Sequence, residues 1–308
     1  MNQEEERERK NGVFVHVMRN VLWSMPFEFG MIWYPKCGCT MLRELFLRIH
    51  QELMPMMEEK LEGATIHNLH AWRCFYRNDL VPYHEVLFVV RSPFERVLST
   101  FYNKHVIKKD IRYRQSHNFQ KFRTFLSMRD LRYTFSNYLF FLEEEHSIDV
   151  HDLPLYLQTP LDRLGWESLE TPSPQKVQDM VYAPLERHIL HLSEDSSFSD
   201  QLSQLVKTMI RAKMEISDDE MEFVDEIIRS FPNTTRKSKI SPHFIKARSH
   251  EIGHWEVTVF QDFLETYGYL PEYPYFWRDL SLNRRILLLY GKDLALFHPE
   301  KQTRFFTK

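Results

Sequence analysis

Only three of the 308 residues are cysteine, Cys37, Cys39 and Cys74, and so sparse and odd a count argues against a disulfide framework and favours a reducing compartment. Cys37 and Cys39 stand too close together to chelate a metal by themselves. No Cys/His pair at zinc-finger spacing accompanies them, so no metal site is expected. Long apolar runs are missing as well: none reaches the length needed to span a bilayer. The opening residues, MNQEEERERKN, are charged and acid-rich, unlike a secretory signal or a transit peptide. Residues 1–11 read as a disordered tail, and with no anchor segment a cytoplasmic location is expected. Strong net charge is also lacking: a formal charge of −3 and a pI of about 6.6 give no reason to expect a nucleic-acid partner. No internal repeat, low-complexity tract or Gly/Ser linker marks a boundary, so residues 12–308 read as one domain. Oligomeric state is not legible.

What the chain does have is core material. Hydrophobic residues make up 43% and aromatics 14%, with 24 Phe and 14 Tyr, ample for a large interior. Phe27 to Tyr34 (FEFGMIWY) is an apolar, aromatic-rich run ending at Pro35, the pattern of a buried strand. Leu42, Leu45, Phe46, Ile49 and Leu53 then follow at helical spacing. A second such unit begins with Val86 to Val90 (VLFVV), a continuous run typical of a central parallel strand. Pro93 sits where a helix's first turn tolerates it, and Val97, Leu98, Phe101 and Tyr102 continue that helix. Two strand–turn–helix units predict an α/β fold: a central parallel sheet flanked by helices, with a largely helical C-terminal part. Helices are expected over 117–145, 198–212, 218–230, about 254–266 and Ser281 to Phe297, with Ser217 and Glu220 at capping-box spacing. Residues 186–192 (ERHILHL) are a weaker strand candidate.

In parallel sheets ligands bind beyond the carboxyl ends of the strands, which singles out the turns at 35–40 and 91–93. In the first, Pro35-Lys36-Cys37-Gly38-Cys39-Thr40, small residues let backbone N–H groups approach an anion. The helix starting near Thr40 offers unpaired donors, and Lys36 adds a positive charge. The spacing G-x-x-x-x-G-K-[ST] of a Walker A loop is not met. An ordinary strand-to-helix turn with a surface lysine is the competing reading. In the second, Arg91-Ser92-Pro93-Phe94-Glu95-Arg96-Val97-Leu98-Ser99, Arg91 ends the buried strand, where a phosphate would give its guanidinium a bidentate partner. Ser99 lies about two turns into the helix. The alternative is a structural arginine paired with Glu95, a role for which Arg96 competes.

Together the two segments resemble the PAPS-dependent sulfotransferase superfamily, in particular its carbohydrate-type family of Golgi and bacterial enzymes. There a P-K-small-small loop follows one strand and an R-x-P-x-E-R-x-x-S segment, often with N-K after it, follows another; here Asn103 and Lys104 complete the second. The resemblance implies a P-loop-like sulfotransferase fold and an enzyme. It would move a sulfuryl group from 3′-phosphoadenosine 5′-phosphosulfate (PAPS) to a hydroxyl, by the same resemblance that of a carbohydrate, releasing adenosine 3′,5′-bisphosphate. Pro35, Lys36, Cys37, Gly38, Cys39 and Thr40 would hold the 5′-phosphosulfate, and Arg91 and Ser99 the 3′-phosphate. It further implies a basic histidine ahead of the second strand, where His67 and His70 compete, His70 being favoured as lying past a short strand at 64–67. His151, in the segment Asp149 to Thr159 that is similar to an acceptor-side family segment, is next in line. Arg236, Lys237 and Lys239 are candidates to close over the nucleotide, or form a solvated loop.

From Arg96 to Arg132 ten Lys/Arg stand against Asp110 and Asp130, a local +8. That favours an anionic glycan as acceptor, against solvated helix faces as the plain alternative. Two other readings remain. Cys37 and Arg43 have the C-x5-R spacing of a cysteine phosphatase, although Lys36 and Thr40 stand where that signature has His and Gly. A non-catalytic nucleotide- or glycan-binding module on the same fold is the other.

Overall fold

The computed structural model describes residues 21–24, 27, 29–54, 85–107, 117–145, 151–158, 186–192, 196–230, 251–271, 276 and 279–297. The tail at 1–11, the strand expected at 64–67, His67, His70, Cys74 and the basic residues at 236–239 lie outside them. The chain divides into two compact units, one drawn from 1–91 and 155–234, the other from 92–154 and 235–308.

The first unit is built on a sheet in the order β1-β2-β3-β4. β1 (Val21–Ser24) pairs antiparallel with β2 (Phe29–Ile32), from Val21 opposite Ile32 to Ser24 opposite Phe29. β2 pairs parallel with β3 (Glu85–Val90), and β3 parallel with β4 (Glu186–His191). The apolar sequences of β2 and β3 fit their central places. All four residues of β2 and the last five of β3 are buried, as strands covered on both faces require. Leu87 and Val89 join Met31 and Phe29 in a core with α1 (Cys39–Leu53), α5 (Ser196–Arg211) and α6 (Glu222–Ser230). Ser217 and Glu220 form the expected reciprocal cap ahead of α6: Ser217 N–H donates to Glu220 Oε2 at 2.9 Å, and Glu220 N–H to Ser217 Oγ at 3.3 Å.

The second unit is helical among the described residues: α2 (Pro93–Phe101), α3 (His117–Met128), α4 (Phe135–Glu144), α7 (Val257–Tyr267) and α8 (Leu280–Phe297). Its core is dominated by aromatic rings, with Phe101 against Phe135 at 5.2 Å and Phe122 against Tyr138 at 5.3 Å between centroids. The single helix expected over 117–145 is two. Asp130 adopts φ 50°, Leu131 N–H donates to the Leu126 carbonyl at 2.9 Å, and Asp130 N–H to that of Ser127 at 3.4 Å. That is a left-handed C-terminal cap, after which Thr134 restarts α4 by accepting from Asn137 N–H. Beyond Phe101 the helix widens into a π-turn over Tyr102–Val106, closed by Ile107 N–H on the Tyr102 carbonyl at 2.8 Å. α8 is kinked at Tyr290 (φ −126°, ψ 17°). No described helix is long and apolar enough to cross a membrane.

One buried histidine ties β1 to α1. His50 Nδ1 lies 2.7 Å from the Phe46 carbonyl, which can only accept, so Nδ1 carries the proton and Nε2 accepts from Ser24 Oγ at 2.8 Å. Burial lowers its pKa to about 4, with the Phe46 bond opposing. The unfolded chain therefore takes up a proton near pH 6.5 that the folded chain refuses. Stability from this group is whole above about pH 6.5 and declines as pH falls toward about 4. Between pH 7 and pH 5 the loss is expected to be about 2 kcal/mol. Urea denaturation at the two pH values measures it, and His50→Met is expected to abolish this part of the decline. An undiminished decline in that variant would assign the acid sensitivity elsewhere.

Candidate active site

β2 ends at Ile32, opposite Phe88, and β3 runs two residues further, to Val90. Because the strands are parallel, the turn after β2 and Arg91 after β3 leave the sheet at one edge. β4 brings a third chain there, with His191 opposite Val90 and Leu192 N–H donating to the Val90 carbonyl at 2.7 Å. His191, half-buried, is a basic group at this edge that the sequence reading did not single out. Its signal was the weak strand at 186–192, whose parallel pairing to β3 only the sheet order reveals.

The turn itself is shaped by four residues. Cys37 N–H donates to the Tyr34 carbonyl at 3.1 Å, with Pro35 and Lys36 between them. Proline suits the first of those places, and the second demands a positive φ, which Lys36 adopts at 67°. A lysine there carries about 1–2 kcal/mol of left-handed strain that glycine would not, and such strain gathers at ligand-binding turns. Gly38 follows at φ 73°, ψ 21° as the N-cap of α1. A Cβ at Gly38 would meet only Met41 Cε, at 3.5 Å, so the glycine answers to backbone angle and not to crowding. The N-cap Gly38 has no side chain to cap α1, and no acid stands in the helix's first turn. The positive end of a 15-residue helix, with the N–H groups of Cys39, Thr40 and Met41 lacking intrahelical acceptors, is suited to an anion.

Lys36, Gly38 and Cys39 are half-buried, Thr40 is exposed, and Pro35 and Cys37 are buried. Arg91 and Ser99 are both half-buried, the first at the end of β3 and the second on α2. The described part of the site thus brings the 35–40 turn and Arg91 to one sheet edge. Ser99 belongs to the helical unit.

Three expectations change. The Cys37 thiol is fully buried, and Arg43 is engaged elsewhere: its Nε donates to the Cys39 carbonyl at 3.1 Å and its guanidinium lies 4.5 Å from the Trp33 ring centre. A cysteine phosphatase needs an open nucleophile cradled by that arginine, so the C-x5-R spacing is coincidental. In the second motif Arg96, the competitor for Glu95, is 1% exposed and has Asp293 as its carboxylate partner. Finally, the +8 of residues 96–132 overstates the surface charge, since Arg96 and Lys104 are buried.

His151, third among the candidate bases, is half-buried, and its carbonyl accepts from Arg96 Nη1 at 3.2 Å and Thr100 Oγ1 at 3.3 Å. Among the described residues no cluster of three His, Cys, Asp or Glu side chains is placed to hold a metal.

No curated protein and no solved structure matches the chain. A family model does: that described as the Sulfotransferase family, over residues 31–298. The match opens inside β2, just ahead of the Lys36 turn, and closes just past α8, so it takes in the turn, Arg91, α2 and the whole helical unit described above. Spanning well over half of the 308 residues, it shows that this chain belongs to the sulfotransferase family.

Proposed function

We propose that the chain is one catalytic domain over residues 12–308 that transfers a sulfuryl group from PAPS to a hydroxyl of an acceptor, with a carbohydrate as the acceptor class to test first. The observation that carries the reading is the uncapped, acid-free start of α1, preceded by Lys36 held at positive φ and set at the same sheet edge as Arg91. That combination suits an anion with two separated charged ends. The 35–40 turn would take the 5′-phosphosulfate, and Arg91 with Ser99 the 3′-phosphate.

The acceptor oxygen attacks sulfur while the bond from sulfur to the bridging phosphate oxygen breaks in line. The acceptor proton goes to a histidine, and the products are a sulfate ester and adenosine 3′,5′-bisphosphate. Such a transfer depends on placement and charge stabilisation more than on covalent help from the protein. Lys36 and the α1 N-terminus would stabilise charge building on the leaving phosphate oxygen. His70 is the proposed base, with His67 as its rival. Incubation with labelled PAPS and a panel of glycan, lipid, tyrosyl-peptide and small-alcohol acceptors tests the whole reading. Binding of adenosine 3′,5′-bisphosphate without transfer to any of them would identify a nucleotide-binding module instead.

Lys36→Ala is expected to lower single-turnover rate by about 10²-fold or more while affinity for adenosine 3′,5′-bisphosphate, read by calorimetry, stays largely intact. Unchanged turnover would remove Lys36 from the reaction. Arg91→Ala and Ser99→Ala are expected to weaken adenosine 3′,5′-bisphosphate far more than adenosine 5′-phosphosulfate, which lacks the 3′-phosphate. Arg91, a charged donor, should cost about 1.5–3 kcal/mol and more than Ser99. Equal losses for both nucleotides would make these residues supports of the fold.

A base must be neutral to accept a proton, so the chemical step is expected to rise through the ordinary imidazole range, about pH 6 to 7. His70→Ala is expected to slow that step by about 10²-fold and flatten the rise, with nucleotide affinity intact. If His67→Ala flattens the profile and His70→Ala does not, the two exchange roles.

A further inference from the structure

Helix α8 turns one face into the aromatic core of the helical unit, through Leu282, Ile286, Tyr290 and Leu294. Its outer face is uncovered. Leu280, Arg284, Leu288 and Lys292 are all exposed, and at four-residue spacing each side chain neighbours the next, so the four form one stripe. The two leucines are 79% and 73% exposed, more than any other described large apolar side chain except Met128. They stand about 12 Å apart along the helix axis. The face stays clear beside Lys292, where a Cβ on Gly291 would meet nothing within 4 Å. A single exposed leucine is ordinary, whereas two on one stripe, alternating with cations, form a surface that a partner can use.

The stripe is positive, and the described acids around it are buried or paired. Asp293 of α8 is buried beside Arg96, and the half-buried Arg285 is matched by Glu143 at 2.8 Å. Asp279, just ahead of the helix, is 8% exposed and caps it, its Oδ1 accepting from Ser281 N–H at 3.1 Å and Leu282 N–H at 3.2 Å. At the end of α4, Glu143, Glu144 and Glu145 each have a cation, Arg285, Arg129 and Lys121 respectively. Arg284 and Lys292 thus set the sign of the outer face of α8, which complements an anionic surface.

A second copy of the chain does not suit this stripe. Packed antiparallel against itself it would set leucine against cation, packed parallel it would set like charges opposite, and neither arrangement supplies a carboxylate. A globular partner engages about 20–30 residues a side, whereas the apolar content here is two side chains on the ridge of a helix. A lipid surface needs less. Leucines enter the acyl boundary while arginine and lysine lay their stems alongside and keep their charged ends among the phosphates. We propose that Leu280, Arg284, Leu288 and Lys292 dock the helical unit on an anionic phospholipid surface. Two leucines anchor weakly and each basic residue adds only a modest attraction, so this docking is reversible and needs both components. It stands apart from the sulfuryl-transfer reading, since it requires neither nucleotide nor acceptor.

Co-sedimentation of the full chain with vesicles tests it, using phosphatidylcholine alone and phosphatidylcholine carrying phosphatidylserine at about one part in three. Affinity is expected to be about tenfold or more higher for the anionic vesicles and to fall as salt is raised. Leu280→Ser/Leu288→Ser is expected to weaken binding to them at least about tenfold, and Arg284→Gln about fivefold. Leu288→Trp is expected to strengthen it several-fold, a gain that a misfolded protein would not show. All these positions are exposed, so thermal midpoints should match the parent's. Should the serine variant melt early, Leu288→Trp decides instead, and no gain in affinity overturns the proposal. Absence of binding, equal binding to both vesicle types, or binding untouched by the serine substitutions overturns it too. A dimer seen by light scattering that the serine variant splits, with no vesicle binding, would make a second copy the occupant; binding to polyglutamate but to neither vesicle would make it an acidic protein, and either result overturns the lipid assignment. Vesicle binding with the expected variant pattern, in a protein that transfers no sulfuryl group, would sink the sulfuryl-transfer reading and leave the docking stripe standing.

Discussion

Parallel pairing of β2 with β3 is the constraint on which the rest of the candidate site depends. Neighbouring strands that run the same way discharge their chains at the same edge, so whatever follows Ile32 and Val90 must meet there. An antiparallel pairing would have sent Arg91 to the opposite edge from Lys36. Parallel strands are covered on two faces, which is why β3 is apolar from Val86 to Val90 and why Arg91 comes only past its end. Core and site are in this sense one arrangement: the burial of Val86 to Val90 decides where Arg91 can be.

The helical unit shows the same economy by different means. Its interior is packed with rings from Phe101, Phe122, Phe135, Tyr138 and Phe260, which supply apolar area and few polar atoms. Against that background the Arg96–Asp293 pair stands out, because a low-polarity surrounding strengthens every hydrogen bond it makes and penalises every one it loses. The His151 carbonyl is consequently held by groups with few alternative partners.

Much of this could be read in the residues, and the rest for physical reasons could not. Periodicity located α1, α2, β3 and α8 because each buries one face or both, and the Ser217–Glu220 cap is written in four letters. The break in 117–145 was missed because Asp130 occupies a left-handed position normally signalled by glycine or asparagine, so no breaker is visible. β1 carries only four residues, too short for any alternation to register, and its pairing depends on β2. The π-turn at 102–106 has no sequence pattern distinct from a helix. The places of Lys36 and Arg91, each just past a parallel strand, were legible from the apolar runs before them, whereas that of His191 needed the strand order and the Arg96–Asp293 contact spans nearly two hundred residues of chain. The C-x5-R match at Cys37 and Arg43 shows the opposite failure: spacing satisfied, and both side chains occupied otherwise.

The backbone angle of Lys36 has a consequence for how this position would drift. Glycine in its place would shed about 1–2 kcal/mol of left-handed strain, and the added freedom of the unfolded chain would take back about 0.4–1 kcal/mol of that. The turn would fold about as well, or slightly better, without the lysine. Selection on backbone strain alone favours glycine at such an angle, so drift toward glycine at position 36 would relax the turn, and a screen for catalysis is what would keep the lysine there.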